Sequence, residues 1–167
     1  MNLRVLCGQC FFLAVVTSDL AVAGLIEDYG WMATSPIRAI SANEVSHAVI
    51  TAAMRVHTEL GPGLLESTYT ACLQHQLHEA GIRSAAQVGL PVVYHGVKLE
   101  LGYRMDLLVE ELVVVEIKSV DAVSPVHQAQ LLSYLKLSGK SIGLLINFNV
   151  VPLKDGIRRF VNGTGWQ

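Results

Sequence analysis

Charge is scarce in this chain: Asp, Glu, Lys and Arg make up 16% of its 167 residues, against the usual quarter, and half of the residues are apolar. Cysteine is scarcer still, with three in all, too few for a disulfide framework. Cys7 and Cys10 form a C-x-x-C, but it precedes the patterned region, lacks the βαβ context of a redox motif, and is followed by no second Cys or His pair at zinc-finger spacing. Cys72 falls in a helical pattern, as a small core residue does. This usage suits a reducing, cytoplasmic setting. The six histidines contain no H-E-x-x-H arrangement. Gly61-Pro62-Gly63 lacks the Lys-Ser/Thr of a P-loop and the strand before it, and no G-x-S-x-G elbow occurs. Repeats and low-complexity linkers are missing as well. No unbroken apolar run reaches ~18 residues, which argues against a membrane span or any stable membrane association.

What is present begins with a segment unlike the rest. Met1 to about Ser41 holds a mostly apolar stretch, Val5 to Ile26, preceded by Arg4 and interrupted by Asp19. It resembles a signal peptide, and export is one reading. The reading preferred here is an over-extended start, with translation beginning at Met32, because patterned sequence starts shortly after it. Residues 42–167 then form a single domain. The net charge of −2 does not advertise nucleic-acid binding, but its distribution is uneven, with +4 from Lys118 onward and −6 before it. A basic C-terminal third suits a polyanionic substrate.

In the body, Val45, Val49, Ala52, Val56 and Leu60 follow helical spacing and predict a helix from Asn43, as N-cap, to Leu60. Gly61-Pro62-Gly63 ends it, and a second helix spans about Leu64 to Ala80. The period then changes to two. Strands are predicted at Ile82–Val88, at Pro91–Tyr94 and Val97–Leu101 about a His95-Gly96 turn, and in a hairpin with Glu110-Glu111 at its tip. Ser124-Pro125 opens a helix to about Leu137. Ser141–Phe148 reads as a buried strand parallel to the second hairpin strand, and Asp155–Val161 as a last helical turn or two. The order ααβββββαβ predicts an α/β fold, a central mixed β-sheet flanked by helices.

The chemistry concentrates in that second hairpin. Asp106 stands in Arg104-Met105-Asp106-Leu107-Leu108, and Glu116 and Lys118 stand in Val115-Glu116-Ile117-Lys118. Charges in such apolar strands cost several kcal/mol each unless paired or metal-bound. Glu116 and Lys118, two apart, project to one face. If the turn centres on Glu111, Asp106 lies opposite Glu116 with Cβ atoms ~5 Å apart. A hard divalent cation would relieve the repulsion between the two acids, and Lys118 would orient an attacking water or offset charge growing on a phosphate. A one-residue slip would put Asp106 on the wrong face. Glu66, on the second helix, is a third carboxylate candidate with Tyr69 a turn away. Gln130 and Tyr134 share a face of the third helix.

Taken in order, Glu66, Asp106, Glu116-Ile117-Lys118 and Gln130-Leu131-Leu132-Ser133-Tyr134 resemble the motifs of the PD-(D/E)XK nuclease superfamily, the last of them its RecB-like branch. Gly63-Leu64-Leu65-Glu66-Ser67-Thr68-Tyr69 resembles the signature of the bacterial GxxExxY protein family. Met105 stands where the superfamily's named Pro would be. The resemblance, from about Asn43 to Gly163, implies a restriction-endonuclease-like core and Mg²⁺- or Mn²⁺-dependent hydrolysis of DNA. It implies Asp106, Glu116 and Lys118 as catalytic residues, with Asp106, Glu116 and Glu66 at the metal. Gln130, Tyr134 and Tyr69 would be auxiliary or substrate-binding. The alternative is an inactive module that keeps the fold and binds nucleic acid or protein.

Overall fold

The structure, a computed structural model, describes residues 39–163. The expectations for Met1 to Arg38, including the start at Met32 and the signal-like stretch, lie outside the described residues. Two helices come first, α1 (Ala42–Leu60) and α2 (Glu66–Glu79). Then follow β1 (Ser84–Tyr94), β2 (Val97–Val109), β3 (Val113–Lys118), α3 (Pro125–Ser138), β4 (Ile142–Asn147), a 3₁₀ turn (Leu153–Gly156) and β5 (Ile157–Val161). One mixed sheet runs in the order β1-β2-β3-β4-β5. Among the described residues its only parallel pair is β3 with β4, the geometry that a helical crossover such as α3 requires.

Each helix buries most of the stripe that its spacing prescribes, although Leu60, at the end of the predicted α1 stripe, is exposed. Val45, Val49, Ala52 and Val56 of α1 and Tyr69, Leu73 and Leu77 of α2 are buried. They pack on Leu107, Val109, Val113, Val115 and Ile117 from one side of the sheet, and Leu144 and Ile146 join them. Leu131, Tyr134 and Leu135 of α3 pack with Leu108, Val114 and Leu145 on the other side. β3 and β4 are covered on both faces, which is why they read as continuous apolar runs. Gly143 makes the close approach of α3 possible, since a Cβ there would sit 2.9 Å from Leu131 Cδ1.

Several expectations are corrected. The two short strands on either side of Leu90 are one long β1, and those on either side of Gly102 one long β2, so the sheet has five strands with β5 included. Pro91 is tolerated because β1 is an edge strand and its register shifts between Leu90 and Val92. Ile157–Val161 is a strand, not helix, because β4 would otherwise leave an edge unpaired; Ile142–Ile146 pair with it antiparallel. The cap of α1 is Ser41, in a reciprocal capping box with Glu44. Asn43 instead accepts a hydrogen bond from Arg159 at 2.6 Å. α2 begins at Glu66 because Leu65 is extended.

The second hairpin has the register the Glu110-Glu111 turn predicts. Val109 faces Val113 and Leu107 faces Val115, where the pairing ends, and the same register carries Asp106 toward Glu116. Glu110 and Glu111 both have positive φ, at 50° and 56°, which costs energy for residues with a Cβ. Glu110 is held there by Arg83, whose backbone N–H and guanidinium donate to its carboxylate at 2.6, 2.8 and 3.1 Å. Arg83 lowers the pKa of that carboxyl through these hydrogen bonds. Lys140 donates to the Glu111 carbonyl at 2.7 Å. The strained turn is thus tied down on both sides, and the register of the acidic residues with it.

Candidate active site

The site forms where β2 and β3 part. Beyond Leu107 the Asp106 carboxylate accepts the Ile117 N–H at 2.9 Å, so a side chain bridges the two strands. Asp106 is partly exposed, and burial raises its pKa, partly offset by the Ile117 N–H and the Lys118 charge. Gln87 on β1, at φ 54°, points its amide to Asp106 at 3.5 Å.

Glu116 is 1% exposed. Lys118 donates to its Oε1 at 2.6 Å, while Oε2 is buried with no hydrogen-bond partner. Desolvation lifts the Glu116 pKa from 4.5 to about 7. The Lys118 hydrogen bond opposes this, and repulsion from Asp106 and Glu66 adds to it. For Lys118 burial opposes the charge, but the Glu116 hydrogen bond and the three nearby carboxylates outweigh it and raise the pKa. At neutral pH Lys118 is an ammonium.

Glu66 enters at the N-terminus of α2, its Oε1 accepting the Ser119 N–H at 3.2 Å. The loop before it is pinned twice. The Ser119 hydroxyl donates to the Leu64 carbonyl at 2.6 Å. The Tyr69 hydroxyl donates to Gly61 O at 2.6 Å and accepts from Leu64 N at 3.2 Å. Tyr69 is completely buried and stacks on Phe148 at 4.3 Å. Tyr69 stands among the residues expected to be auxiliary or substrate-binding; its ring lies in the core, away from any substrate, and its hydroxyl holds the loop that delivers Glu66. The Gly63…Glu66…Tyr69 spacing thereby gains a structural reason: the Tyr fastens the loop and the Glu projects from its end.

On the other side of the sheet, Gln130 donates to the Tyr134 hydroxyl at 2.7 Å. Tyr134 is 3% exposed, and burial raises its pKa, with Glu116 and Asp106 adding to the effect. The structure therefore brings Asp106, Glu116, Lys118 and Glu66 within electrostatic reach of one another, sets Tyr134 within reach of the first three, and leaves Tyr69 behind them. Among the described residues, no three His, Cys, Asp or Glu side chains are drawn together as a metal-ligand group. Each of the three carboxylates has at least one oxygen on a donor of the protein. Asp106 and Glu116 remain the side chains able to hold a cation, and their oxygens suit a hard one.

Three residues of the site were not singled out from sequence. Gln87 is a lone polar residue in an apolar strand, a signal without an address until β1 is placed beside β2. Ser119 merely follows Lys118. Asn147, 1% exposed, accepts from Val120 N at 3.0 Å and donates to Val120 O at 2.8 Å, securing the chain as it leaves β3. His127 takes a structural place, its Nδ1 accepting the Ser124 N–H at 3.3 Å in the cap of α3.

The family model for the PD-(D/E)XK nuclease superfamily matches residues 43–160, every element from α1 into β5. The chain belongs to this superfamily. A solved crystal structure, that of SSO0001, is similar at 21% identity with a TM-score of 0.32, covering 72% of this chain. The chain spans 64% of that protein's length. No curated protein matches it. Among the described residues no helix is long and apolar enough to cross a membrane.

Proposed function

We propose that this chain is a divalent-metal-dependent nuclease that hydrolyses phosphodiester bonds in DNA, with Asp106, Glu116 and Lys118 as its catalytic residues. The observation that carries the reading is the buried, unpartnered Oε2 of Glu116 beside Asp106. A protein gains no stability from a desolvated carboxylate oxygen with no donor, and the all-oxygen set fits Mg²⁺ or Mn²⁺. Asp106 and Glu116 would hold the ion, with Glu66 supporting it. Such an ion, when bound, lowers the pKa of a coordinated water and neutralises phosphate charge.

The remaining work falls to the chain. Lys118, kept protonated by its carboxylate neighbours, donates to the attacking water or to a phosphate oxygen as negative charge grows on it. The Tyr134 hydroxyl accepts from Gln130 and so keeps its own proton to offer a phosphate oxygen. The basic residues from Lys118 onward steer the polyanion. The G-x-x-E-x-x-Y resemblance supports the same reading, because here that motif presents an acid to the cluster.

The test is cleavage of single- and double-stranded DNA by the purified chain with Mg²⁺ or Mn²⁺ against a chelator control. Asp106→Ala, Glu116→Ala and Lys118→Ala should each abolish cleavage while far-UV circular dichroism stays unchanged. A wild-type protein inert on both substrates ends the enzyme reading. The spread of the carboxylates, with no three of them grouped among the described residues, favours a second reading: a module that binds nucleic acid or a partner protein without turnover. DNA binding indifferent to divalent cations would select it.

A further inference from the structure

An open groove of about 530 Å³ runs between the β1–β2 ribbon and α3, within the ~300–1,000 Å³ typical of ligand sites. Tyr103 and Val126 line it together with Gln130, Ser133 and Tyr134, and among the described residues its lining contains no charged side chain. Tyr103 is 49% exposed and Val126 72%. The Tyr103 and Tyr134 rings stand 6.5 Å apart at 69°. Tyr134 and Gln130 therefore belong to two places at once, the wall of this groove and the neighbourhood of Glu116, Asp106 and Lys118.

That combination selects among the parts of a nucleic acid. A phosphate seeks Lys, Arg or a run of N–H donors, and the described residues of this lining offer no charge to meet it. A nucleobase seeks a flat aromatic surface together with a few neutral hydrogen-bonding groups, and Tyr103 with Gln130 and Ser133 supplies both. A base within a duplex has both faces stacked and its pairing edge occupied, so only an unpaired one can enter. We propose that this groove holds an unpaired nucleobase next to the phosphate at the acidic cluster, with Tyr103 as its stacking platform, and that the substrate is accordingly single-stranded nucleic acid or an unpaired end. The inference rests on the nuclease reading for its substrate class. Stacking on a π-face is indifferent to the sugar, so it applies equally to deoxyribo- and ribonucleotide strands.

The experiment measures binding of fluorescein-labelled oligothymidylate, oligouridylate and a blunt duplex to the full chain by anisotropy, in Ca²⁺ and without Mg²⁺. Wild type, Tyr103→Phe and Tyr103→Ala are compared, with thermal denaturation as the check on folding. The expected result is a loss of ~10-fold in affinity for both single strands in Tyr103→Ala, retention in Tyr103→Phe, and weak duplex binding that does not change. A 5-iodouracil-bearing strand should photo-crosslink to the Tyr103 peptide. Unchanged single-strand affinity in Tyr103→Ala, or equal losses for strand and duplex, overturns the proposal. Cleavage is scored separately in Mg²⁺. A wild type that binds strands through Tyr103 yet cuts nothing overturns hydrolysis and leaves base capture standing. One that cuts strand and duplex alike, with Tyr103→Ala unimpaired in binding, does the reverse.

Discussion

Raising the pH should destabilise the metal-free protein, and Glu116 sets both the sign and the size of the effect. Its pKa rises from 4.5 to about 7 on folding because the carboxyl is buried. Between these values the folded chain keeps a proton that the unfolded chain has released. Stability therefore falls as pH rises through the window and levels off above about pH 7. The displacement corresponds to about 3 kcal/mol, a large share of the ~5–15 kcal/mol that holds a domain together. Asp106, displaced in the same direction, adds a contribution of the same sign. Glu110 acts oppositely, but its lowered pKa confines it to more acid solution, where its contribution is lost as pH falls. Urea denaturation followed by circular dichroism, in chelator, at intervals from pH 4.5 to above 7, measures the slope. Glu116→Gln, which cannot titrate, should flatten most of it. At neutral pH Mg²⁺ or Mn²⁺ at a hundred times its Kd should return about 2.7 kcal/mol. A wild-type profile flat across this window, or a slope undiminished in Glu116→Gln, would refute the account of Glu116 as a strongly desolvated acid.

Four further outcomes follow from packing and backbone geometry. Tyr69→Phe keeps the stack on Phe148 but removes the hydroxyl from Gly61 O and Leu64 N. It should cost about 1–3 kcal/mol in urea denaturation and loosen the Glu66 loop, visible as faster amide exchange over residues 61–66. Gly143→Ala should cost about 1–3 kcal/mol, because its Cβ meets the movable Leu131 and Leu135 side chains at 2.9 and 3.1 Å. Gly156→Ala should cost more, since its Cβ collides with the Asn147 backbone carbonyl; equal melting temperatures for the two variants would count against this ranking. Glu111→Gly should raise stability in the same assay, because it relieves a left-handed penalty of about 1–2 kcal/mol at a smaller entropic cost of about 0.5–1 kcal/mol, φ being 56°, and the Lys140 bond to the backbone carbonyl survives.

Much of the scaffold was legible because its signals are short-ranged. The stripe of α1, the Ser124-Pro125 start of α3, the unbroken apolar runs of β3 and β4, and the β3–α3–β4 crossover all rest on neighbours within a turn or a pleat. So does the register of the second hairpin. Once Glu110-Glu111 turns the chain, Asp106 must come round to Glu116, and the period of two puts Lys118 beside them. β5 was misread because Arg158 and Arg159 are exposed and its alternation is weak. Its state is decided by the open edge of β4, more than ten residues earlier.

The sequence by itself determined the three helices, the β3–α3–β4 crossover, and that acids and an ammonium would share one hairpin, since each follows from backbone periodicity and local turn chemistry. Only the tertiary structure decided that Glu66 arrives at Ser119 across 53 residues of chain, that Tyr69 is a fastener within the core, and that Tyr103 opens a neutral groove beside Tyr134. These depend on which hydrogen-bond partners and surfaces are left over once the layers have packed. No window of sequence holds that information, because burial and its electrostatic consequences belong to the whole fold.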